Sequence, residues 1–237
     1  MDITNMNIVL IIAAVILLAA IIIGGIRGFI KTFFAAFSVM IAIFLAVQLG
    51  PYLGKVLQVT PIYTSIEGSI EDKLDARAEE QSQKVSQQIE EINTYPLPDS
   101  LKQALVENNN NQIYEALGVN QFNQYVAAYM ACLIINALAF LIVLILSVII
   151  LKIIAASLDL ISKLPILNGM NRLGGIAFGA VHGFIILWVL CIVVTIFSWT
   201  GPGEWVSAQI SSNIYLSWLY NNNYLLSTLT NMGKMLF

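Results

Sequence analysis

Ile8 to Ile26 reads IVLIIAAVILLAAIIIGGI, nineteen residues without a polar side chain. At 1.5 Å per helical residue this run crosses a hydrocarbon core of ~30 Å. A cleaved secretory leader is the competing reading. The six residues ahead of the run carry Asp2 and no Lys or Arg. The apolar run is also long for a leader, and no small-x-small cleavage site precedes a soluble sequence. We therefore expect a retained span.

Three further runs follow: Thr32 to Leu49, Val126 to Leu151 with Asn136 and Ser147 inside it, and Leu173 to Trp199 with His182 inside it. The whole chain agrees with lipid as its solvent. Of 237 residues, 58% are hydrophobic and 11% charged, and the mean hydropathy is +0.81. Soluble domains hold about 25% charged residues. The expected fold is all-α, an integral membrane bundle of four transmembrane helices with a helical extracytoplasmic insert. Its expected parts are a hairpin of spans one and two (1–49), an acidic loop (50–125), spans three and four (126–199) and an amphipathic C-terminal segment (200–237).

The formal charge of −3 conceals two populations. Residues 61–125 hold eleven acids and four bases, a net of −7, so the remainder sums to +4. Arg27, Lys31, Lys152, Lys163 and Arg172 lie on the two short connections, whereas the opposite side offers Lys55 beside a span. That asymmetry places the short loops in the cytoplasm and both termini and the insert outside. Tyr52, Tyr125, Tyr129, Trp199 and Trp205 fall on the outer side, where aromatic rings are expected at headgroup depth. No basic, aromatic-laced patch for nucleic acid is present.

Gly24-Gly25-Ile26-Arg27-Gly28 suits a tight reversal between spans one and two. Ile62, Ile66, Ile70, Leu74, Ala78, Val85, Ile89 and Ile92 form an amphipathic stripe, ending before Pro96 and Pro98. It is expected to pack on the outer leaflet or on its own bundle. Asp99-Ser100 is placed to cap a helix through Val106, Gly118 to stop one over 113–117, and Asn120 to cap span three. Gly201-Pro202-Gly203 reads as a break after span four, and Asn221 to Asn223 divides the tail.

Two stretches carry a family resemblance. Ile26-Arg27-Gly28-Phe29-Ile30-Lys31 opens the second span, and Asn171-Arg172-Leu173-Gly174-Gly175-Ile176-Ala177-Phe178-Gly179-Ala180-Val181-His182-Gly183 opens the fourth. In this order, with four spans, they resemble the CvpA family, named for colicin V production. The resemblance implies a multi-pass protein of the bacterial cytoplasmic membrane, linked by name to toxin production or export. A similar four-span module precedes extracytoplasmic serine protease domains, in keeping with an outer C-terminus. The family usually has Arg or Lys where this chain has His182, and shorter relatives lack the long insert.

Gly175, Gly179 and Gly183 recur every four residues, as do Gly24 and Gly28 with Ala20 before them. Small residues allow close helix approach in lipid, so these glycines are expected to pack spans one and four, a homo-oligomer interface being the alternative. His182 shares the glycine face and reads either as a proton-relay candidate or as an interfacial residue. Arg27, Lys31 and Arg172 read as topology anchors or as ligands for a lipid headgroup or a partner carboxylate. Asn136 is the candidate for interhelical hydrogen bonding. Asp159 belongs to a cytoplasmic turn. Cys132 and Cys191 lie at matching depths and read as core thiols. No metal or cofactor constellation and no HExxH, GxSxG or P-loop pattern occurs.

The expectation is a non-enzymatic accessory factor in toxin production, export or envelope homeostasis. Its expected partners are the bilayer and a membrane or extracytoplasmic protein, without cofactors. A small oligomeric transporter or channel using His182, Asn136 and Arg172 is the alternative.

Overall fold

The computed structural model describes residues 7–76, 84–157 and 169–234. These form eleven helices and no strand: α1 Ile8–Arg27, α2 Phe29–Gln58, α3 Pro61–Asp75, α4 Val85–Thr94, α5 Asp99–Glu107, α6 Asn111–Leu117, α7 Phe122–Ser157, α8 Met170–Phe197, α9 Gly201–Ser211, α10 Ile214–Asn221 and α11 Tyr224–Lys234. Helices α1, α2, α7 and α8 are long and apolar enough to cross a membrane. The expectations for Asp159 and Lys163, and for Ala78 in the stripe, lie outside the described residues.

The chain divides into two compact units, residues 1–50 with 140–191, and residues 51–139 with 192–237. In the first unit α1 begins where Asn7 accepts a hydrogen bond from the Leu10 amide at 2.9 Å. It continues through Arg27, so Gly24 and Gly25 are helical and do not form the expected reversal. The turn is made by Gly28 alone, at φ 79°. That conformation costs glycine no steric strain. The Gly28 amide caps α1 on the Gly24 carbonyl at 2.9 Å, and the Thr32 hydroxyl donates to the same carbonyl at 3.2 Å. The α1–α2 hairpin is thus closed within one residue.

The second unit is built on residues 122–139 of α7. Tyr125 is fully buried and Tyr129 is 2% exposed, so neither ring sits at a headgroup surface as the sequence suggested. The insert covers them: the Tyr125 hydroxyl donates to the Leu105 carbonyl at 2.7 Å, and Tyr114 stacks on Tyr125 at 5.0 Å. Trp199 is likewise buried, edge-on to Tyr95 at 5.1 Å. Tyr52 and Trp205 remain exposed.

The stripe appears as α3 and α4, whose Ile70, Leu74 and Ile92 enter the protein core, while Ile62 and Val85 stay exposed. Asp99 is the first residue of α5 and not its cap; Pro98 occupies that position. A carboxylate in the first turn still complements the helix dipole. Gly118 stops α6 in the left-handed region at φ 70°. Gly201-Pro202-Gly203 does not end α8 but starts α9, with the Thr200 hydroxyl accepting from the Gly203 amide at 3.2 Å. Proline suits a first helical turn because its missing N–H has no partner to lose there. Asn213 caps α10, which divides the tail at a point the sequence did not indicate.

The insert and the C-terminal segment are joined by polar contacts. Lys73 forms an ion pair with Glu204 and donates to the Trp199 carbonyl at 2.7 Å. Asn221 donates to Asp99 at 2.6 Å, and within the insert itself Asn123 donates to Asp75 at 2.7 Å.

Glu67, on α3, has a carboxyl raised above its ordinary value of 4.5. Burial is the main cause and the neighbouring Glu71 adds to it, against a 3.5 Å hydrogen bond from the Tyr63 hydroxyl. Because the folded state binds this proton more tightly than the unfolded chain, its contribution is present below about 4.5 and is lost as pH rises through the folded value. Thermal unfolding followed between pH 4 and pH 7 is therefore expected to show a steeper fall in stability for wild type than for Glu67→Gln.

Candidate membrane-embedded site

The first unit gathers most of the singled-out residues. A methyl group placed on Gly24 would strike the Gly175 carbonyl oxygen and lie 2.8 Å from Gly179 Cα. One on Gly175 would strike the Gly24 carbonyl oxygen and lie 2.9 Å from Gly28 Cα. Further along, a methyl on Gly183 would sit 2.9 Å from Leu17 Cδ1 and 3.0 Å from Ala20 Cβ. Helices α1 and α8 therefore touch backbone to backbone along this face, and the glycine surface is occupied within one chain.

This contact carries Asn171 to the hairpin. Its carboxamide lies against Gly28, and Oδ1 accepts from the Ile30 amide at 3.4 Å. Phe178 then packs edge-on to Phe29 and Phe33, with ring centroids 5.4 and 5.2 Å apart. Asn171 was part of the sequence motif, but nothing in the motif alone indicated that it braces a turn 143 residues earlier.

Four helices then bring basic side chains to one place. Arg27 is the last residue of α1, Lys31 lies in the first turn of α2, Lys152 near the end of α7, and His182 in the fourth turn of α8. All four line a cleft of about 740 Å³, with Phe34, Ser38, Val148 and Leu151 among its walls. Sequence reasoning placed Lys152 only as a topology charge; its position beside Arg27 follows from tertiary packing. Neither Arg27, Lys31 nor Lys152 has a hydrogen bond or ion pair among the described residues. The described part of this unit contains no Asp or Glu.

A second cavity of about 320 Å³ shares Arg27, Ala35 and His182 with the cleft. Apart from Thr32, whose hydroxyl is held by the Gly24 carbonyl, the rest of its lining is apolar, between Ile16, Ile23 and Ile186 over the small residues Ala19, Ala20, Gly24 and Gly179. Nδ1 of His182 is buried and lacks a hydrogen-bond partner among the described residues.

Two singled-out residues are not brought to this place. Arg172 is exposed beside Gly25 and lines neither cavity. Asn136 belongs to the second unit, 2% exposed, with its carboxamide pressed on Gly54 of α2. Both its polar atoms lack hydrogen-bond partners among the described residues, so its contact with α2 is steric and not the hydrogen bond expected. Cys132 and Cys191 are free, buried thiols. Among the described residues no three His, Cys, Asp or Glu side chains converge as metal ligands.

Residues 116–218 match the family described as Colicin V production protein. The matched region contains α7 to α9, the start of α10 and the whole motif at 171–183, which shows the resemblance there; the motif at 26–31 lies ahead of it. With four helices fit to cross a bilayer, the match supports a membrane protein in colicin V production. No curated protein and no solved structure matches the chain.

Proposed function

We propose that the protein is a non-enzymatic accessory factor of the bacterial cytoplasmic membrane, acting in the production or export of a colicin V-like toxin or in envelope homeostasis. In this reading residues 50–125 and the C-terminal segment face outward and dock a membrane or extracytoplasmic protein. The observation that carries it is the packed helical unit built from both segments, within which Lys73 pairs with Glu204 and Asn221 binds Asp99. Asp72, Glu90, Glu107 and Glu115 are exposed on that unit. An anionic surface is repelled by anionic lipid. A protein with basic groups is its better partner.

Photo-crosslinkers placed at Asp72 and Glu90 in cells are expected to capture a defined protein; capture of lipid alone would overturn the docking role. Topology has its own test. An impermeant thiol reagent is expected to label Lys84→Cys from outside the cell and Met170→Cys only after permeabilisation. Both positions are exposed, and the two native thiols are buried, which keeps background labelling low.

A channel needs polar groups along one continuous face. Arg27, Lys31 and Lys152 sit together near one set of helix ends with His182 in the fourth turn of α8, and the groove that leaves them is lined mainly by apolar residues such as Ile16, Ile23 and Ile186. Proteoliposomes holding the purified protein are accordingly expected to retain a proton gradient. A leak abolished by His182→Leu would favour transport instead.

A further inference from the structure

Among the described residues the basic cleft is charged without compensation. Arg27, Lys31 and Lys152 bring three basic side chains to one cavity, with the His182 ring in its wall. The described residues of this unit supply no carboxylate, and over its full sequence five bases stand against Asp2 and Asp159, a net of +3. Like charges held together at the edge of a low-dielectric medium repel strongly. An anion relieves that repulsion, and guanidinium and ammonium groups together suit phosphate oxygens.

The adjoining cavity selects among phosphate compounds. It starts from the same Arg27, passes His182 and runs along α1 as far as Ile16, eleven residues back. At 1.5 Å per residue that is ~16 Å, about the depth of one leaflet of a ~30 Å core. Its floor of Ala19, Ala20, Gly24 and Gly179 carries no side chain larger than a methyl. A free inorganic anion has no use for such a groove, whereas an acyl chain fills it.

We propose that this pair of cavities binds one anionic phospholipid, with its phosphate among Arg27, Lys31, Lys152 and His182 and an acyl chain along Ile16, Ala19 and Ile23. The same packing that closes α1 on α8 at Gly24 and Gly179 forms the wall of the groove, so the lipid site is built by the membrane fold itself. The inference requires only that these helices span a bilayer; it is independent of the docking role proposed above, whose crosslinking test reads the other unit.

The test uses the full-length protein in detergent, with native mass spectrometry after addition of phosphatidylglycerol or of phosphatidylcholine with the same acyl chains. One phosphatidylglycerol is expected to be retained about tenfold better than phosphatidylcholine. Lys152→Gln and Arg27→Gln are each expected to weaken it about fivefold, the worth of one basic contact at a membrane surface. Lys55→Gln, an exposed base in the other unit, is expected to leave it unchanged. Lys152→Gln preserves the charges of the α1–α2 hairpin, so its result stands if Arg27→Gln inserts or folds badly. Ala19→Phe obstructs the groove and is expected to reduce phosphatidylglycerol retention. Equal retention of the two lipids, or full retention by Lys152→Gln, would overturn the site. Stabilisation by inorganic phosphate alone, with phosphatidylglycerol retention unaffected by Ala19→Phe, would overturn the lipid in favour of a free anion.

Discussion

Gly175→Leu is expected to prevent the first unit from closing, with a loss on the order of 3 kcal/mol, the upper end of the cost of overpacking a tight contact. The reason is what the new side chain meets. Its Cβ would strike the Gly24 carbonyl oxygen and lie 2.9 Å from Gly28 Cα, and both are backbone atoms. Backbone cannot rotate away as a flexible side chain can, so the whole of α8 would have to move from α1. Lipid offers no hydrophobic drive to restore the contact at a longer distance, because in a bilayer packing itself supplies much of the attraction. The displacement also draws Asn171 off the hairpin and opens the groove beside Gly179. Unfolding in a denaturing detergent titration, followed by tryptophan fluorescence, checks the loss. Gly68→Ala supplies the contrast: a methyl at Gly68, inside α3, meets nothing within 4 Å. It is expected to stabilise the helix by roughly 0.5–1 kcal/mol, through propensity alone. Size-exclusion chromatography distinguishes the packing from an oligomer interface, since the Gly175→Leu defect is expected at every protein concentration.

The glycines also show how far a sequence carries this fold. Runs of apolar residues reveal spans because hydropathy is a local property, and the four long helices lie where the runs do. Spacing likewise places Gly175, Gly179 and Gly183 on one helix face. Purpose is less local. The sequence pattern puts Gly24 and Gly25 in a turn, yet both are helical, and the turn falls to Gly28. The same residue type serves close approach in one case and positive φ in the other, and only the facing helix distinguishes them.

Aromatic residues posed a similar problem. Tyr125 and Tyr129 stand at the end of a span, where interfacial anchors belong, and are buried because the insert folds over them. That cover depends on Leu105, twenty residues earlier, and on no pattern within the span. The candidate site divides along the same line. Arg27, Lys31 and His182 were legible from charge in or beside spans. Lys152 became one of their number only when α7 ended beside the hairpin, and Asn136 and Arg172 were left elsewhere.

Gly203→Leu is expected to release α9 from the end of α8, the second of the two large effects. A methyl on Gly203 would strike the Phe197 carbonyl oxygen and lie 3.0 Å from the Ser198 nitrogen. The α8–α9 corner is held by its own backbone: the Thr200 amide donates to the Phe197 carbonyl at 2.9 Å, and the Gly203 amide to the Thr200 hydroxyl at 3.2 Å. A side chain at 203 displaces that oxygen, so the hydrogen bond and the cap are lost together. The overpacking cost alone reaches on the order of 3 kcal/mol. A lost threonine cap adds about 1 kcal/mol. The consequence extends beyond the corner because Glu204 is the next residue. When α9 swings away, Lys73 loses its carboxylate, and the insert loses its ion pair to the C-terminal segment. Limited proteolysis is the direct measurement, with cleavage expected to appear between residues 200 and 224 in Gly203→Leu and to be slow in wild type. Lys73→Met tests the ion pair, removing with it the Lys73 hydrogen bond to the Trp199 carbonyl. The partners in the ion pair are about 30% exposed, so screening by solvent limits the pair to no more than ~1 kcal/mol. If Lys73→Met exposed the segment as fully as Gly203→Leu, the charge pair and not the glycine corner would be holding the insert to the tail.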